Sequence, residues 1–133
     1  MNENVCWVAG AGEFYAPAFA PLPGDYVIAA DGGYEALRRL GAPIDMALGD
    51  FDSLGYVPER RNVVRCNPVK DDPDMTLAVK EGLGRGYKRF ALLGGLGGRL
   101  AHTLANLQTL MYLSRRGARG FLIGKNEIAT ALT

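Results

Sequence analysis

Cysteine is scarce, with two in 133 residues, Cys6 and Cys66. Each sits in an apolar, strand-like run, which suits buried thiols in a reducing cytoplasm better than a disulfide. Histidine is scarcer: His102 is the only one, so a histidine-built metal centre is excluded unless carboxylates complete it. The single tryptophan, Trp7, falls in the first apolar run and is expected in the core. No apolar run approaches the roughly 20 residues that span a bilayer. The opening Met1–Asn4 has no basic flank, so no signal peptide is expected. Net charge is only +1, so bulk charge makes no case for nucleic acid or a membrane as partner. A hydrophobic fraction of 48% with 22% charged residues excludes a disordered chain and fits one globular domain over residues 1–133.

Charge is unevenly placed. All eight aspartates lie between Asp25 and Asp74, and the chain through Asp74 holds twelve acids and six bases. The remainder holds two acids and nine bases. An acidic half facing a basic half suits a site that holds cations and phosphates together, though short chains also show such imbalance by chance.

Apolar runs alternate with helix-period stretches. Strands are expected at Asn4–Gly10, Tyr26–Ala30, Met46–Leu48, Asn62–Cys66, Phe90–Leu93 and Gly120–Ile123, with another starting near Ile128. Helices are expected at Tyr34–Leu40, ended by Gly41, at Pro73–Leu83 with Asp72 as N-cap, and at Arg99–Arg116, ended by Gly117. In the second helix Met75, Ala78, Val79 and Leu83 are expected to share a face. In the third, Leu100, Leu104, Leu107, Leu110, Met111 and Ser114 predict the buried stripe, and Tyr112 is assigned to packing. This alternation predicts an α/β, three-layer, Rossmann-like domain: a mostly parallel sheet with helices on both faces. Ligands of such sheets bind beyond the carboxyl ends of the strands.

The residues with chemistry cluster at those ends. Gly10-Ala11-Gly12 opens like a dinucleotide fingerprint, but Tyr15 stands at the third glycine position, which argues against an NAD-dependent dehydrogenase. In Gly49-Asp50-Phe51-Asp52-Ser53, two carboxylates on one turn suit a hard cation such as magnesium, or else cap their own amides. Lys70-Asp71-Asp72-Pro73-Asp74 sets more acids at a helix start, where the dipole favours them but three exceed what capping needs. Gly94-Gly95-Leu96-Gly97-Gly98-Arg99 joins a strand to a helix, either as a phosphate cradle or as a plain crossover; it is not a Walker A loop.

Taken together, Asp31-Gly32-Gly33, Gly49–Ser53, Lys70–Asp74 and Gly97-Gly98-Arg99-Leu100-Ala101-His102 with the following Thr103-Leu104-Ala105-Asn106 resemble thiamin pyrophosphokinase, specifically its N-terminal catalytic domain. The resemblance implies transfer of a pyrophosphoryl group from ATP to the hydroxyl of thiamine, releasing AMP. It implies Mg2+ held by Asp50, Asp52 and Asp74, with Asp71 on the same acidic wall. Asp31, Gly32, Gly33 and Lys70 would line the nucleotide or vitamin site. Gly97, Gly98 and Arg99 would meet phosphate beside His102. A cytoplasmic homodimer is implied. Three departures stand out. Ala101 replaces an aspartate usual in the family, Pro73 replaces a threonine, and the β-rich C-terminal domain of the family is expected to be absent from residues 1–133. The alternative reading is a catalytically inactive magnesium–nucleotide-binding module of the same descent.

Overall fold

A computed structural model describes residues 4–10, 12, 14–30, 32–49, 62–65, 74–94, 100–125 and 128–131; for Asp74 and residues 100–103 it describes the backbone alone. The elements within them are β1 (Val5–Ala9), β2 (Tyr26–Ala30), α1 (Gly33–Leu40), β3 (Met46–Gly49), β4 (Val63–Arg65), α2 (Asp74–Gly84), β5 (Arg89–Leu93), α3 (Leu100–Arg115), β6 (Arg119–Ile123) and β7 (Ile128–Ala129). They form one sheet in the order β4-β3-β2-β1-β5-β6-β7. All pairs are parallel except the last, where Ile123 faces Ile128.

The central strands are short apolar runs, VCWVA, YVIAA and RFALL, because both of their faces are covered. Alternation along each strand divides the core in two. Cys6, Val8, Ile28, Leu48, Phe90, Leu92 and Leu122 pack on α2 and α3 through Met75, Ala78, Val79, Leu110 and Leu113. Trp7, Ala9, Val27, Ala29, Ala91 and Leu93 face the other way, onto Tyr34 and Leu37 of α1. This is the expected three-layer architecture. Helix α1 ends on Gly41 at φ 70°, whose N–H donates to the Arg38 carbonyl at 3.1 Å, as its glycine and the following Pro43 predict. Burial pushes the Cys6 thiol up to about 12, so it stays protonated and unreactive. Cys66 lies outside the described residues.

The stripe expected on α3 is corrected. Leu104 and Met111 are 52% and 49% exposed, whereas Asn106, Thr109, Leu110 and Leu113 are buried. The helix carries apolar residues around most of its girth, so periodicity does not select a face. The choice is made by β6. Gly120 leaves a groove, and Leu113 Cδ1 comes within 2.6 Å of where a Cβ there would sit. The helix settles its Leu110–Leu113 side into that groove. No helix among the described residues is long and apolar enough to cross a membrane.

Two aspartates hold the opposite, amino-terminal edge of the sheet. The Asp25 carboxylate accepts hydrogen bonds from the backbone N–H of Val5, the indole N–H of Trp7 and the backbone N–H of Leu22, each at 2.9 Å. Asp45 accepts from Val27 N–H at 2.8 Å. Partial burial opposes charge on Asp25, but the bonds from Leu22, Val5 and Trp7 outweigh it and hold the carboxyl below its usual range. A depressed folded-state pKa stabilises the fold above the unfolded-state value, and that stability is lost as pH falls through the folded value. Asp25→Asn substitutes an amide donor for an acceptor facing these N–H groups. Chemical denaturation at neutral pH is expected to show a loss of about 1–2 kcal/mol. The wild-type advantage should shrink on acidification; an equal gap at pH 7 and pH 3 would contradict this role.

Candidate active site at the carboxyl edge of the sheet

Strands β1 to β6 run parallel, so all their carboxyl ends lie along one edge. The chain leaves β1 toward β2, β3 and β4, then returns to place β5 on the other flank of β1. The direction of winding therefore switches between β1 and β5, the place in open α/β sheets where ligands bind.

The backbone is tightly drawn at that point. Gly10 N–H donates to the Leu93 carbonyl and Gly12 N–H to the Gly94 carbonyl, both at 2.6 Å. Gly94 takes φ 77°, and a Cβ on it would lie 2.3 Å from the Gly10 carbonyl oxygen. Helix α1 closes in from the side: a Cβ on Gly33 would lie 1.9 Å from the Ala9 carbonyl oxygen. Helix α2 closes in from one face, with Met75 Cε 2.9 Å from the Cβ position of Gly10. The ends of β1 and β5 and the start of α1 thus meet backbone to backbone, and α2 reaches them through Met75. Helices α2 and α3 both start at this edge and add the positive potential of their N-termini.

Several expected site residues are reached by this geometry. Gly32 is the residue before α1, and its carbonyl accepts from Glu35 N–H at 3.2 Å; Gly33 is buried as the first residue of the helix. Asp74 opens α2, and its neighbour Met75 shares a core cluster with Leu48, two residues before Asp50. Strand β3 ends at Gly49 with φ 142°, directly before Asp50. His102 and Ala101 belong to the first turn of α3. Asp31, Asp50, Asp52, Lys70, Asp71, Pro73, Gly97, Gly98 and Arg99 lie outside the described residues. Sequence reasoning underrated Gly10 and Gly12. Their pattern matches no complete phosphate fingerprint, and their importance comes from Gly94, more than eighty positions away in the chain.

The family model "Thiamin pyrophosphokinase, catalytic domain" matches residues 23–122. The chain belongs to this family. Three solved thiamin pyrophosphokinase structures superpose on it. That from Geobacillus thermodenitrificans has 22% identity and a TM-score of 0.79, over 95% of this chain and 62% of its own. That from Bacillus subtilis has 25% identity and a TM-score of 0.78, over 92% and 61%. That from Candida albicans has 17% identity and a TM-score of 0.70, over 94% and 59%. The chain therefore spans less than two thirds of the length of these relatives. No curated protein matches it at a significant level. The family match contains every segment of the resemblance, from Asp31 to Asn106.

Two glycines test the convergence. Gly41→Ala meets no neighbour within 4 Å, so only its φ of 70° is strained, at a cost of about 1 kcal/mol. Gly94→Ala combines a similar strain with a collision against backbone. Thermal unfolding should show a markedly larger fall in Tm for Gly94→Ala; equal falls would mean that the β1–β5 junction is loose.

Proposed function

We propose that the chain carries the nucleotide and magnesium half of a thiamin pyrophosphokinase site. The reaction would transfer the pyrophosphoryl group of ATP to the thiamine hydroxyl, giving thiamine diphosphate and AMP. The observation that carries this reading is the family match over residues 23–122, which takes in all four motif segments. In this reading the hydroxyl oxygen attacks the β-phosphorus, and the bond to the α-phosphate oxygen breaks to release AMP. Arg99 binds the phosphoryl oxygens through its planar fork. Backbone N–H groups of Gly97, Gly98 and the start of α3 would orient the triphosphate. A carboxylate of the acidic wall takes the hydroxyl proton.

The donor chemistry fits magnesium. Asp50, Asp52 and Asp74 offer hard oxygens only, and the segments around them contain neither histidine nor cysteine. When bound, the ion would neutralise phosphate charge and align the reacting groups. Asp71, Lys70, Asp31, Gly32 and Gly33 would complete the lining, and His102 would act with Arg99. A cytoplasmic setting, with its magnesium and ATP, suits this chemistry and the protonated Cys6. Exposed Phe121 and Ile128 at the β6–β7 end of the sheet favour a homodimer, which sedimentation velocity reads directly.

Ala101 favours the second reading, a magnesium–nucleotide module without turnover, because it removes a carboxylate from the Gly-Gly-Arg segment. Calorimetric titration with ATP is expected to show binding that requires magnesium and falls at least tenfold in Asp50→Asn. Absence of binding in the wild type would overturn both readings. Thiamine diphosphate formation that appears only in Ala101→Asp would assign the wild-type chain to the binding module; turnover by the wild type would assign it to the enzyme.

A further inference from the structure

A second concavity lies away from the glycine turns. Helices α2 and α3 lie side by side and keep step with each other: the Thr76 and Thr109 hydroxyls meet at 2.8 Å, and one turn on, Lys80 Nζ lies 5.5 Å from the Tyr112 ring. Between the helices opens a cleft of about 510 Å³, within the range of small-molecule sites. Its floor is polar and ordered. Thr109 is 2% exposed, and its hydroxyl also bonds to the Ala105 carbonyl at 3.1 Å. Met111 and the Tyr112 ring supply apolar surface, and Gln108 and Arg115 supply hydrogen-bonding groups.

Among the described residues that line the cleft, the charged side chain is basic, Arg115. Helix α3 contains no acidic residue. Arg116 stacks 3.5 Å over Tyr112 and donates to the Tyr112 carbonyl at 3.4 Å, so Lys80 and Arg116 both approach this ring. The one acid of α2 near this level, Glu81, is engaged by Arg85 at 3.4 Å. The Arg115 side chain has no ion pair or hydrogen bond among the described residues, although it lines the cleft. The helix dipole favours basic residues in a last turn, but it does not call for an apolar concavity with a hydroxyl floor beside them.

We infer that the α2–α3 cleft binds a small organic phosphate of nucleotide size, without a metal. The guanidinium fork of Arg115 meets the phosphate, Lys80 and Arg116 add positive potential, Met111 and Tyr112 take the apolar body, and Gln108 and Thr76 meet its hydroxyl or amide groups. Thr76 lies two residues from Asp74, so that end of the cleft is within one helical turn of the start of α2.

The probes are AMP and inorganic phosphate, added to the full chain in excess EDTA. Chelation separates this site from the magnesium-dependent one, and Asp50→Asn, which should abolish the latter, should leave AMP binding here unchanged. Saturable AMP binding is expected, tighter than that of inorganic phosphate, with amide shifts at Thr76, Gln108 and Tyr112. Arg115→Glu should weaken it at least tenfold, whereas Arg39→Glu, an equal charge change on the opposite face of the sheet, should not. The inference is overturned by absence of saturable binding, by equal affinity for AMP and phosphate, by equal losses in the two charge reversals, or by shifts confined to Gly10, Gly12 and Gly94. Circular dichroism of each variant confirms that a loss of binding is not a loss of fold, and Arg115→Lys, which keeps the charge, should retain part of the affinity.

Discussion

Gly94 and Gly10 approach so closely that a single methyl group would collide with a backbone carbonyl. Everything at the carboxyl edge depends on that apposition. Strand β1 has neighbours from both windings of the chain, β2 on one side and β5 on the other. Closing the gap between the turns after β1 and β5 brings the starts of α1 and α2 into one neighbourhood. The glycines are required by the crossing of the chain at this point.

The two edges of the sheet use aspartate for different physical ends. Asp25 and Asp45, at the amino edge, accept N–H groups that the strand ladder leaves unmet, and so fasten β1 and β2. The aspartates that follow β2, β3 and β4 in the sequence, and Asp74 at the start of α2, are the ligands proposed for the carboxyl edge. Composition pools these groups: an acidic first half is partly strand fastening and partly candidate ligand chemistry. Arginine and lysine divide similarly. Arg38 and Arg85 pair with glutamates on their own helices, and Arg116 covers a tyrosine ring.

Much of this was legible along the chain. The β2 run, the α1 helix with its glycine cap, and the Met75–Ala78–Val79 face of α2 follow from local rules: short apolar runs, left-handed glycine after a basic last turn, and 3.6-residue spacing. The strand ends that carry the motif residues were legible for the same reason. The exposed side of α3 was not, because a helix apolar on most sides has no preferred face until a groove such as that at Gly120 selects one. Gly10 and Gly12 were read as an incomplete motif, since their partner Gly94 is remote in sequence.

The amino-acid sequence by itself determined the layers of the fold, the helix ends and the family, because periodicity, caps and the short Asp- and Gly-rich segments act within a few residues of themselves. The tertiary structure alone decided three things: which glycines meet at the β1–β5 junction, which side of α3 is buried, and that Thr76 and Arg115 border one cleft. Each of these depends on strands and helices far apart in the chain being pressed into contact, and close packing, unlike periodicity, has no signature in local sequence.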